Sequence, residues 1–205
     1  MLGYRDSGMP DSPGNFDVRS FHRADLDEAV GRLVSIIRRF RPQVIVTYGD
    51  NQRGYPHPDH LKVHDISIPA FARAGDAAWS PWAGEPWQPS KLYYTAWSRA
   101  RFLAMHNKFL ELGLESPYDQ RWMDRPSEDH RITTRVDIDD YYDVRMNALL
   151  AHATQIDPNS PWWFGLPHEA ARTVHPHDDY VLARSLVEGI PGEDQRPPLE
   201  PGADS

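Results

Sequence analysis

The sequence predicts an α/β protein with a parallel-sheet core, and three observations carry that prediction. An amphipathic segment runs through an Arg41-Pro42 turn into a short apolar β-branched run, Val44-Ile45-Val46-Thr47-Tyr48. Such a run is typical of a strand buried on both faces, so helix, tight turn and strand form one αβ step of a parallel sheet. A polar loop rich in catalytic residue types follows that strand, and helical and strand-like patterns alternate beyond it. The composition is that of a folded chain: 205 residues, 40% apolar and 11% aromatic.

The first helix is expected over Asp25–Phe40, where Leu26, Ala29, Val30, Leu33, Val34, Ile37 and Phe40 recur at helical spacing. Asp25 caps it, with Glu28 three residues on as in a capping box. Val44–Tyr48 is the strand. The loop GDNQRGYPHPDH leads into a second helix from Asp59, its expected N-cap, to about Ala74. Gly75–Pro89 is a long loop with three Trp and three Pro, packed or substrate-facing. Leu92–Trp97 reads as a strand, Ala100–Leu112 as a helix and Ile132–Ile138 as a half-exposed strand. Asp140–Ile156 and Asp178–Val187 read as helices. One domain is expected over residues 1–188, followed by a flexible, acidic, Pro/Gly-rich tail over 189–205. The opening LGYRDSGM is loop-like and leads straight to a helix feeding a buried strand, so the N-terminus reads as the middle of a domain.

Composition narrows the function. A net charge of −8 gives no general basic face for nucleic acid. Arg38, Arg39 and Arg41 form the one tight basic run; it suits the C-terminal end of a helix dipole, with phosphate binding as the alternative. No run of 18 apolar residues is present to span a membrane, and the first twenty residues lack a signal-peptide core. The chain has no cysteine, so any metal is held by His, Asp or Glu. A cytoplasmic enzyme is the expectation.

The chemistry concentrates in Tyr55-Pro56-His57-Pro58-Asp59-His60, directly after the buried strand. In open α/β sheets ligands sit outside the carboxyl ends of strands. His60 falls in the first turn of the next helix, and His57 can reach the same space from the other side. Tyr55 offers a phenol to a developing oxyanion. The alternative is a proline-stiffened surface turn with titrating histidines. His64, four residues after His60, can share its helix face, but Leu61-Lys62-Val63 supplies no general-base Glu. His175 and His177, in VHPHDDY, mimic a metal cluster and equally suit an exposed turn capped by Asp178.

At these residues the sequence resembles the LmbE-like zinc deacetylases, and within them the mycothiol S-conjugate amidases. The resemblance rests on LGYRDSGMPDS (Leu2–Ser12), PQVIVTYGDNQRGYPHPDHLKVHDIS (Pro42–Ser67), PWQPSKLYY (Pro86–Tyr94) and KFLELGLESPYD (Lys108–Asp119). It continues through RITTRVDI (Arg131–Ile138), ALLAHATQIDP (Ala148–Pro158) and DYVLARSL (Asp179–Leu186).

The resemblance implies a Rossmann-like α/β fold of LmbE type and zinc-dependent hydrolysis of an amide on a glucosamine nitrogen. The substrate it implies is a small thiol-sugar conjugate. For the amidases the products are a mercapturic acid and glucosaminyl-inositol; for the related deacetylases the substrate is N-acetylglucosaminyl-inositol. Carried over residue by residue, His60 matches a zinc ligand and His57 the histidine that stabilises the tetrahedral intermediate or protonates the leaving amine. Tyr55 matches the oxyanion tyrosine, and Asp6, with Arg5 beside it, a sugar-contacting position. The family's other ligands and its base lie in a His-Pro-Asp-Asp-Glu motif that follows a first strand, and this sequence contains no HPDD. The expectation is therefore a chain lacking that strand and motif, inactive alone. A non-catalytic sugar- or partner-binding remnant, and an enzyme using His57, His60 and either His175 or His177, are the other readings. The aromatic loop Trp79–Trp87 is expected to form part of the acyl pocket.

Overall fold

The structure, a computed structural model, describes residues 1–52 and 54–188. Arg53, at the head of the motif segment, and the tail expected over 189–205 lie outside the described residues. The hydrogen-bonded strand order is β1-β2-β4-β3, with β1 Val44–Thr47, β2 Lys91–Ala96, β3 Thr134–Asp137 and β4 His177–Ser185. The chain gathers into two compact units.

Among the described residues, the first unit holds Met1–Thr95 and residues 182–188. Its first helix, α1 (Leu26–Phe40), starts as expected: the Asp25 side chain accepts the Glu28 amide at 2.9 Å. Ala29, Val30, Val34 and Ile37 are buried in a core shared with Ile66, Ala70 and Ala74 of α2 (Pro58–Arg73) and its following residue. Arg41 ends α1 in the left-handed region at φ 51°. β1 then runs parallel to β2, Val44 beside Lys91 and Thr47 beside Tyr94. One expectation fails here. Among the described residues β1 pairs with β2 alone, and Val44 and Val46 are 47% and 51% exposed, so β1 is an edge strand.

Arg38, the first member of the basic run, has a structural role. It is buried, and its guanidinium donates to the carbonyls of Ala74 (3.0 Å), Asp76 (2.6 Å), Trp79 (3.1 Å), Ser80 (3.0 Å) and Gly84 (3.1 Å). A charge fully enclosed by backbone acceptors serves structure. It folds the aromatic loop back onto α1, while Trp87 Nε1 donates to the Pro42 carbonyl at 2.7 Å. Trp79 and Trp87 pack on the core, whereas Trp82 is exposed and lies across Gly31.

The second unit, Ala96–Val181, is built on α3 (Arg99–Glu111). Ser98 caps α3, and Asp129 accepts its first two amides, Arg99 at 2.7 Å and Ala100 at 3.0 Å. Phe109, Tyr118, Tyr142, Leu166 and Ala171 form the core with Phe102 and Trp162 packed against it. The short helices are α4 (Gln120–Met123), α5 (Tyr142–Leu150), α6 (Pro161–Phe164) and α7 (His168–Val174). The helix expected over Asp140–Ile156 is thus shorter and enters through a 3-10 turn at Asp139–Tyr141.

The larger correction concerns Asp178–Val187, which is not a helix. His177–Ser185 forms β4, antiparallel to β3 with Thr134 beside Tyr180 and Asp137 beside His177. Asp179 occupies an inward position of that strand, buried like Val181, so the apolar alternation that marks a strand is disguised by a carboxylate.

Candidate functional site

Beyond β1 the chain turns into α2, and the local sequence explains the geometry. Pro58 occupies the first helical position, where its missing N–H costs nothing. His57, rather than Asp59, is the N-cap: its Nδ1 accepts the Asp59 amide at 3.2 Å. Asp59 sits in the first turn of the helix with its carboxylate turned to Ser7, accepting the Ser7 amide at Oδ2 (3.0 Å) and the Ser7 hydroxyl at Oδ1. Ser7 is fully buried and its hydroxyl also accepts the His22 amide at 3.0 Å. This link joins the LGYRDSGM segment to the helix that presents His60.

His60 stacks on Tyr48, ring centroids 4.1 Å apart, with Tyr55 at 5.3 Å and His57 at 5.0 Å. Tyr55 and His57 are 6.1 Å apart. Tyr55, His57 and His60, singled out by the sequence, therefore form one cluster. The His60 imidazole is pushed below its ordinary pKa, first by burial and then by the His57 charge; the Asp59 and Asp6 carboxylates pull it the other way. Asp6 is thus within electrostatic reach of His60, its Oδ1 accepting the Gly8 amide at 2.7 Å. Arg5 is turned to Asp17 in an ion pair. Burial, and then the Tyr55 charge, raise the Tyr48 phenol.

His64 is tied to the strands: its Nδ1 lies 3.1 Å from the Tyr48 carbonyl and its ring 5.3 Å from that of Tyr94. A groove of about 380 Å³ in the same unit is lined by Tyr4, Arg19, Arg23, Glu28 and Arg32, with none of the cluster residues. The chemistry points to the cluster. His175 and His177 belong to the second unit, their rings 4.0 Å apart, with Asp179 beside them. His175 is buried, not on an exposed turn, and its pKa is lowered to about 4, chiefly by burial, then by Arg101 and His177. Among the described residues these three form a group that could hold a metal ion.

Neither the role of Ser7 nor the place of Asp59 behind the His57 cap is expected from the sequence. Their partnership spans 52 residues, a separation that leaves no local signal. The residues around His60 are also short of a hydrolytic zinc site on their own. Such a site takes about three protein ligands and an open position. Here two imidazoles converge, and the adjacent carboxylate, Asp59, is committed to Ser7.

The family model of GlcNAc-PI de-N-acetylase (PIG-L) matches residues 1–71, the stretch that holds Asp6, Ser7, Tyr55, His57 and His60. A mycothiol S-conjugate amidase of Streptomyces coelicolor is 44% identical over 202 residues, 94% of this chain and 68% of that protein. A 1D-myo-inositol 2-acetamido-2-deoxy-alpha-D-glucopyranoside deacetylase of Frankia alni is 41% identical, over 92% of this chain and 65% of its own length. The fold is similar to that of a conserved protein of Thermus thermophilus, TT1542, with a TM-score of 0.50 at 19% identity, covering 93% of this chain and 67% of that one. The chain thus spans about two thirds of the length of these relatives. Among the described residues no helix is long and apolar enough to cross a membrane.

Proposed function

Since the chain belongs to the PIG-L family of amide-cleaving hydrolases, with mycothiol amidase and deacetylase relatives, we propose that it serves hydrolysis of the amide on the glucosamine nitrogen of a mycothiol S-conjugate. The observation that carries this reading is the convergence of Tyr55, His57 and His60 on one cluster, next to the segment that holds Asp6.

Each residue has a role its surroundings support. The Asp59 amide donates to His57 Nδ1, so a neutral His57 ring carries its proton on Nε2. That tautomer can donate to a developing oxyanion or to the leaving amine. The Tyr55 phenol donates to the same oxyanion. His60 would hold the zinc, which when bound would supply an activated water. Asp6 contacts the sugar hydroxyls; Arg5 joins it only by leaving Asp17. At this cluster His60 is left as the zinc ligand, with His57 as the acid and Asp59 committed to Ser7, so these 205 residues alone bind the glucosaminyl-inositol portion without turnover.

Calorimetry with glucosaminyl-inositol, and assays with a mycothiol S-conjugate and N-acetylglucosaminyl-inositol in zinc-containing buffer, test the proposal. Binding that weakens in Asp6→Asn, with no turnover, is expected. Turnover would refute the claim of inactivity, and neither binding nor turnover would refute the whole reading. A deacetylase is the second reading, favoured by the 41% identical relative; preferential binding of N-acetylglucosaminyl-inositol over the S-conjugate would establish it.

A further inference from the structure

The second unit contains a side-chain group that the reaction above does not use. His175, His177 and Asp179 follow one another at every second residue, the last two on β4. Alternation along an extended chain sends such residues to one face. His175 Nε2 lies 3.4 Å from Asp179 Oδ2, and His177 Nε2 lies 3.6 Å from Asp179 Oδ1. The three ligand atoms of the group all fall within 4.8 Å of one another.

Two of these atoms are anomalous. His175 Nε2 and Asp179 Oδ2 are both buried and neither has a hydrogen-bond partner, although they face each other. The side chains involved are 8% and 1% exposed. An orphaned nitrogen and an orphaned carboxylate oxygen in one buried spot are costly unless something between them satisfies both. The other Asp179 oxygen accepts from Arg135 Nε at 3.1 Å, which holds the carboxylate in place as outer-shell partners of metal ligands do.

We propose that His175, His177 and Asp179 bind a first-row divalent transition-metal ion of the zinc class. Two imidazoles and one carboxylate select zinc, cobalt or nickel over magnesium or calcium, which prefer all-oxygen shells. The separations suit the ion. Ligand bonds of about 2.0–2.1 Å at tetrahedral angles put neighbouring donor atoms about 3.3 Å apart, close to the 3.4 Å between His175 Nε2 and the orphaned Asp179 Oδ2. Three protein ligands leave a fourth position, on the side of His177, whose side chain is partly exposed at 26%. The ion fastens the exit of α7 to the start of β4, because His175 follows Val174 directly and His177 opens the strand.

The test uses the purified 205-residue chain, stripped with EDTA and titrated with Co²⁺ alone and then Zn²⁺. Ligand-field bands of tetrahedral Co²⁺, displaced by Zn²⁺, are expected. His177→Gln changes the partly exposed ligand and should weaken binding at least about tenfold, while His60→Gln should retain the bands. Bands lost in His60→Gln and kept in His177→Gln would place the metal at the other cluster and overturn the proposal. So would the absence of any tetrahedral Co²⁺ signal. Should His177→Gln fail to fold, Co²⁺-induced paramagnetic broadening in the unaltered chain decides: resonances of His175, His177 and Asp179 must vanish first.

Discussion

Ser7 and Asp59 hold each other by two hydrogen bonds, the Ser7 amide to Oδ2 at 3.0 Å and the Ser7 hydroxyl to Oδ1. This pairing fixes the first turn of α2, and with it His57 and His60, against the N-terminal segment. Ser7→Ala leaves an Asp59 oxygen and the His22 amide without their partner. A loss of about 1–3 kcal/mol is expected, measured by urea denaturation. Loss of sugar binding beyond what the remaining folded fraction explains is expected as well.

Arg38 supplies hydrogen bonds to at least five backbone carbonyls between Ala74 and Gly84. Arg38→Met keeps the aliphatic packing and strips those acceptors of their donor. It should cost at least about 3 kcal/mol and open the Gly75–Pro89 loop to limited proteolysis. Arg38→Lys should rescue only part of this, because an ammonium has three donors and no planar fork.

His60 titrates below the ordinary histidine range because of burial and the His57 charge. Imidazole NMR on the EDTA-treated chain should show its pKa rising in His57→Gln and falling further in Asp6→Asn, since Asp6 pulls it upward. With the folded pKa depressed, the unfolded chain binds more protons in the window below the ordinary value, so this group removes stability as pH falls through that window.

His175 has the larger shift, from 6.5 to about 4. Its contribution is neutral above the unfolded value and increasingly unfavourable as pH falls from 6.5 toward about 4. Urea midpoints of the metal-free chain should therefore decline over that interval, and His175→Gln should flatten the decline. An unchanged slope in the variant would show that other groups dominate.

Much of this was legible in the sequence, for reasons that can be traced. Asp25 and Glu28 marked the start of α1 because a cap is a local device, read within one turn. Tyr55, His57 and His60 were found because the motif places them on neighbouring turns after a strand. Long-range partnerships left no such trace. Ser7 with Asp59, and Arg38 with the loop carbonyls, are made of residue types that read as turn, cap and surface charge. β4 was mistaken for a helix because Asp179 fills a core-facing place that an apolar side chain would have marked. The apolar run Val44–Tyr48 suggests a strand buried on both faces, although Val44 and Val46 face outward.

The bare side of β1 has a consequence for how the polypeptide behaves in solution. Among the described residues, its row of amides and carbonyls away from β2 meets no other strand, and Val44 and Val46 flank it. Such an edge is a template for self-association, since any extended segment can add to it through the backbone without matched side chains. Its stability should then vary with protein concentration, and a lysine in place of Val46 would act as a gatekeeper that keeps the polypeptide dispersed.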